Sequence, residues 1–114
     1  MELKNKIICF DIDGVICTNT YGDYKNAKPF NKSINKINQL YDNGFKIILF
    51  TSRYMTICKG DINLIYKKYY QTTVEQMENW NVKYHELIFG KPEYDMIIDD
   101  KSYNYDKNWI SIVK

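Results

Sequence analysis

Four short apolar runs recur along the chain: IICF (7–10), IILF (47–50), LIF (87–89) and MII (96–98). A weaker fifth, WISIV (109–113), ends it. None of the four alternates apolar with polar residues. Short continuous apolar runs read as strands buried on both faces, the mark of a parallel sheet. Parallel strands need crossover connections, and the intervening sequence supplies them. Ile34, Ile37, Leu40 and Tyr41 recur at helical spacing, with Asn31 or Ser33 placed to cap the start and Asn43-Gly44 to stop it. Val74, Met77 and Trp80 form a second stripe behind a capping box at Thr72–Glu75 or Thr73–Gln76. Leu64, Ile65 and Tyr69 suggest a separate helical turn before it. The expected fold is α/β, a Rossmann-like three-layer arrangement with a central, mostly parallel sheet and helices on both faces. With 114 residues the chain makes one domain, 1–114.

Each run is followed by polar chemistry. IICF leads to Asp11 and Asp13, and IILF leads to Thr51, Ser52 and Arg53. LIFG leads to Lys91, and MII leads to Asp99 and Asp100. In an open parallel sheet the carboxyl ends of the strands share one edge, and ligands bind there. An aspartate after a single strand is often only a helix cap. Four polar clusters in register point to one crevice, because chance would scatter them over both ends of the sheet. Carboxylates brought together repel, so a cation is needed among them. All-oxygen ligands with open positions suit Mg²⁺. Thr51 and Ser52, with free backbone N–H groups, and the Lys91 ammonium are donors for a phosphate. A metal, phosphate donors and a spare carboxylate together describe phosphoryl transfer.

DIDGV, a strand ending in Thr51, Lys91 before Pro92, and the Asp99-Asp100 pair occur in the order that resembles the haloacid dehalogenase superfamily, over Ile7 to Lys101. The strings LFTSRYM, ELIFGKP and IIDDK are similar to the small phosphatases of that superfamily assigned to bacterial capsule and surface-polysaccharide biosynthesis. The resemblance implies a division of labour. Asp11 is the nucleophile that forms an aspartyl-phosphate, and Asp13 is the acid and base. Thr51 binds the phosphoryl oxygens, and Lys91 neutralises charge. Mg²⁺ is held by the Asp11 carboxylate, the Asp13 backbone carbonyl and one of Asp99 or Asp100, with Asp100 favoured.

Neither the stretch from Asp13 to Thr51 nor that from Thr51 to Lys91 has room for a folded cap domain of about 50 residues or more. A capless site accepts a large substrate or is closed by a partner subunit, as in a homo-oligomer. Residues 14–28 and 53–70 are the expected walls. Tyr21, Tyr24, Arg53 and Tyr54 are candidates for reading the leaving group, and Arg53 could equally bind a wall acid. The expected substrate is a sugar phosphate or another small phosphorylated metabolite of surface-glycan assembly.

Two other readings compete. Capless relatives include nucleic-acid 3′-phosphatases and phosphoprotein phosphatases. A net charge of +2 supplies no basic groove for the first of these. The run KKYY (67–70) is read as one face of a surface helix. A receiver domain also gathers acids, a hydroxyl and a lysine around Mg²⁺. There the paired acids sit on the first strand and the lysine on the last, whereas here the second acidic pair follows the lysine. Cys9 is expected in the core and Cys17 partly exposed; with Cys58 they make three, an odd count that argues against a disulfide framework. His85, Trp80 and Trp109 are read as structural. The N-terminus shows no signal peptide, and no run approaches the roughly 20 apolar residues of a membrane span, so the expected location is cytoplasmic.

Overall fold

Three of the five apolar runs become strands. A computed structural model of the chain describes residues 6–112. Strand β1 (Ile7–Phe10), β2 (Lys46–Thr51) and β3 (Glu86–Phe89) form one parallel sheet in the order β1-β2-β3. Cys9 pairs with Ile48, and Leu49 with Leu87, so all three strands end at one edge. Helix α1 (Asn31–Asp42) crosses from β1 to β2, and α2 (Ile62–Lys68) and α3 (Tyr70–Asn79) cross from β2 to β3. This is the α/β class with an open three-stranded sheet.

The helical stripes pack as their spacing demands. Ile34, Ile37 and Leu40 of α1 and Met77 of α3 are buried, while Val74 and Trp80 are partly so. They cover Ile47, Leu49 and Phe89 of the sheet. The other face of β2 is only half-covered at Ile48 and Phe50, so the strands are not buried evenly on both sides. The expected caps at Asn31, Ser33, Thr72 and Thr73 are not used. Phe30 precedes α1 without a side-chain cap, and α3 already begins at Tyr70, which places both threonines inside it. The working cap is Asp61, whose carboxylate accepts the Leu64 N–H at 3.1 Å and opens α2. Gly44, in the left-handed region at φ 95, ends α1 where expected.

The last two runs depart from expectation. MII is not a strand: Met96, Ile97 and Ile98 lie in an irregular arm, 77%, 52% and 92% exposed. A strand needs a neighbour, and the five-residue connector from Lys91 would have to be almost fully extended to bring these residues to the free edge of β1. WISIV forms a short helix, α4 (Trp109–Ile112), its final Val113 lying outside the described residues. The Trp109 ring packs edge-on against Phe10 at 5.3 Å and ties the far end of the arm back to β1.

Gly90 closes β3 at φ 100, and a Cβ there would lie 2.9 Å from Ile62 Cδ1. The Ile62 side chain can yield, so the backbone conformation carries most of the cost. Gly90→Ala is expected to lower stability by about 1–2 kcal/mol, read as a fall in the urea midpoint with an unchanged slope. An unshifted midpoint would show that the turn into Lys91 relaxes freely.

Candidate active site

Asp11 and Asp13 follow β1 on a turn pinned into the core. Ile12 and Ile16 are fully buried, and the Val15 and Ile16 amides both donate to the Ile12 carbonyl. Gly14 adopts φ 87, which only glycine takes without strain, and its N–H donates to Cys17 O at 2.8 Å. The carboxylates at 11 and 13 are thereby fixed at the carboxyl edge of the sheet, both half-buried.

Asp11 faces a lysine. Its Oδ2 lies 3.1 Å from Lys91 Nζ, and its Oδ1 accepts the Ile12 N–H at 2.8 Å. Lys91 is placed by its own backbone, whose N–H donates to Thr51 O at 3.2 Å across the end of β2. Burial pushes the Lys91 ammonium down, but the charge and hydrogen bond of Asp11 outweigh it and hold its pKa above the usual lysine range. Thr51 is fully buried, and its Oγ1 accepts the Arg53 N–H at 3.0 Å. Ser52, beside it, is half-buried. Asp11, Thr51 and Lys91 thus converge at one edge, with Ser52 adjoining them in sequence.

Asp13 is engaged differently. Arg53 donates to it twice, Nε to Oδ2 at 2.8 Å and Nη2 to Oδ1 at 2.9 Å. The guanidinium is buried, and its Nη1 donates to Gln76 Oε1 at 2.6 Å. It lies 4.7 Å from the centre of the Tyr24 ring, while Gln76 Nε2 donates to Tyr24 O at 2.7 Å. Burial pulls the Arg53 pKa down, and the hydrogen bonds and charge of Asp13 more than restore it. The acid that Arg53 binds is Asp13 itself, the expected proton carrier, and not an acid of the walls at 14–28 or 53–70. Cys17, expected to be partly exposed, is buried, and its thiol donates to Asp13 Oδ1 at 3.5 Å. Burial first, then the Asp13 charge, pushes that thiol up to about 12, so it stays protonated. Cys9, expected in the core, is exposed on β1.

The segments expected as walls carry aromatic contacts. Tyr54 stands in the left-handed region at φ 68, stacks on Tyr69 at 4.2 Å and meets Tyr24 edge-on at 4.8 Å. Burial raises the pKa of both Tyr24 and Tyr54. Tyr21 is 92% exposed. His85 acts structurally: its Nδ1 accepts the Ile47 N–H at 3.0 Å, and its ring stacks on Tyr41. Gln76 was legible only as a capping residue. Its signal is that a polar side chain shares the buried face of α3 with Thr73 and Met77.

Asp99 and Asp100 are exposed in the arm, and the chain does not gather them with Asp11 and Asp13. Among the described residues no group of three or more His, Cys, Asp or Glu is placed to hold a metal ion. Among the described residues no helix is long and apolar enough to cross a membrane.

No protein-family model and no curated protein matches the chain. Among solved structures it is similar to the crystal structure of an MCSG target from Vibrio cholerae, with 25% identity, a TM-score of 0.80 and 94% of each chain covered.

Proposed function

We propose that the chain is a capless, Mg²⁺-dependent phosphatase of the haloacid dehalogenase superfamily that hydrolyses a phosphomonoester through an aspartyl-phosphate on Asp11. The observation that carries this reading is the Asp11 carboxylate at the carboxyl edge of the sheet, 3.1 Å from Lys91 Nζ, with Thr51 beside it. Such an edge is where open parallel sheets bind ligands. A carboxylate nucleophile, a cation and a hydroxyl are the groups that phosphoryl transfer requires.

The chemistry divides among these residues. An Asp11 oxygen attacks phosphorus as the bond to the leaving oxygen breaks, and Asp13 gives that oxygen a proton. Water then attacks the phosphorus of the aspartyl-phosphate, Asp13 takes the water proton, and the bond to Asp11 breaks. Both Asp13 oxygens accept from Arg53 in the resting arrangement. Donating a proton therefore requires Asp13 to turn away from the guanidinium. Lys91 offsets charge on Asp11 and on the transferring group. The Thr51 hydroxyl, which accepts from the Arg53 amide, keeps its own proton for a phosphoryl oxygen.

The oxygen donors fit Mg²⁺. The Asp11 carboxylate and the Asp13 carbonyl are hard ligands, and Mg²⁺ commonly takes one or two protein carboxylates, with waters and substrate phosphate filling the rest. When bound, the ion would offset charge on the phosphoryl oxygens. Asp99 or Asp100 would be the third protein ligand in this reading, although both lie exposed in the arm, apart from Asp11 and Asp13.

The substrate is a sugar phosphate or similar small metabolite of surface-polysaccharide assembly. The test is phosphate release from sugar phosphates, nucleotides, phosphopeptides and 3′-phosphorylated oligonucleotides, with Mg²⁺ and with chelator. Release from sugar phosphates that stops on chelation is expected. Folded protein that hydrolyses none of them in Mg²⁺ would overturn the reading.

A further inference from the structure

We propose that the chain acts as a strand-exchanged dimer, in which residues 96–100 of each copy pair with the open edge of the other copy's β1. The partner's Asp99 and the partner's Asp100 would then complete the acidic site at Asp11 and Asp13. The exchange stands on geometry alone; the role given to the acids rests on the phosphatase reading.

Two unpartnered surfaces on the chain complement each other. Among the described residues β1 pairs only with β2, which leaves its outer edge open, with Ile7 62% exposed and Cys9 also exposed. An open edge is a template for another strand. The arm carries Met96, Ile97 and Ile98 in solvent, a strand-forming apolar run with no neighbour. Side by side and parallel, IICF and MII each end in an aspartate, so the pairing that sets Ile97 beside Cys9 also sets Asp99 beside Asp11. The edge and the strand that fits it occur once on each copy, which makes the pairing reciprocal and closed.

The arm is poorly placed to make this pairing within its own chain. Lys91 is fixed beside the end of β2 by its bond to Thr51. Met96 would have to sit outside β1, level with Ile8. That place lies two strand spacings across and about four residues down, a straight line of roughly 16 Å that runs through the sheet itself. Five fully extended residues span about 17–18 Å, with little left for the detour around packed side chains. The connector is also held at the edge. Thr56 Oγ1 donates to Glu93 Oε1 at 2.6 Å, and Tyr94 lies against Lys91 Nζ at 5.5 Å. Only Asp95 separates those anchors from the apolar run. At its other end the arm is tied down by Trp109 on Phe10. A loop anchored at both ends, with its middle in solvent, reaches a neighbouring copy more readily than its own far edge.

The test uses the full chain with Ile97→Cys, an exposed position, and the native Cys9. A short bis-maleimide should join them into a covalent dimer, lost again in Ile97→Cys/Cys9→Ser, and light scattering should give the mass of two chains. A cross-link confined to single chains, or a monomeric mass, would overturn the exchange. Completion of the site is read by refolding Asp11→Asn chains together with Asp99→Asn/Asp100→Asn chains. Only the mixed dimer rebuilds one intact site, so about a quarter of the wild-type rate should return. A dimer without that recovery, when the wild type is active, overturns completion in trans. If the wild type itself releases no phosphate, the phosphatase reading falls, and the cross-link still decides the exchange.

Discussion

Asp11→Asn is expected to abolish Mg²⁺-dependent phosphate release, with kcat falling on the order of 10⁴-fold or more, as removal of a covalent nucleophile does elsewhere. An amide lacks the charge to attack phosphorus, and its nitrogen cannot accept the Lys91 N–H. The variant should fold. Asp11 is a third exposed and Lys91 partly buried, and the amide oxygen of asparagine can still accept from the Lys91 ammonium, which limits the cost to about 1–2 kcal/mol. Loss of rate without loss of structure is therefore the signature. Steady-state rates and rapid-quench trapping of an acid-stable phosphoryl-enzyme in the wild type check it together. Substantial residual turnover in Asp11→Asn would move the nucleophile elsewhere, with Asp13 the first alternative.

How much of this was legible in the sequence depends on whether a residue's fate is local. IICF, IILF and LIF announced their strands because a continuous apolar run has few other places to go. Asp11, Thr51 and Lys91 followed, since the residue after a parallel strand has its edge fixed by topology. MII has the same composition and did not become a strand within the chain. Its fate turns on the length of the connector after Lys91 and on the anchors at Glu93 and Tyr94, which no periodicity records. Cys9 and Cys17 exchanged their expected environments for a related reason. Cys9 lies on the strand left at the open edge, and Cys17 lies in a loop that the Arg53 network draws inward. Arg53 itself was legible as a partner for substrate or a wall acid, and its pairing with Asp13 was not, because that pairing also depends on Gln76 and Tyr24, which are distant in sequence.

Arg53→Met is expected to be the most destabilising single change at the site. Methionine keeps much of the packing of the stem but removes every donor. Asp13 would keep only the weak thiol of Cys17, and Gln76 Oε1 would lose its partner. Breaking a buried ion pair from one side costs about 3–5 kcal/mol, because the other charge stays buried and unpaired. Water reaches Asp13, whose side chain is 15% exposed, so the lower end of that range applies, about 3 kcal/mol. For a domain of this size that is a fall in Tm of roughly 10 °C or more. Asp13→Asn should also destabilise by stranding the guanidinium. The double variant should cost less than the two singles together by about 1–3 kcal/mol, because one loss already includes most of the other. Arg53→Lys should recover only part, since an ammonium cannot serve both Asp13 oxygens and Gln76 in one plane. Urea unfolding of the wild type and the four variants measures all of this. Additive costs, or an Arg53→Met variant as stable as the wild type, would mean that the guanidinium sits in its pocket without holding Asp13 or the 14–28 loop in place.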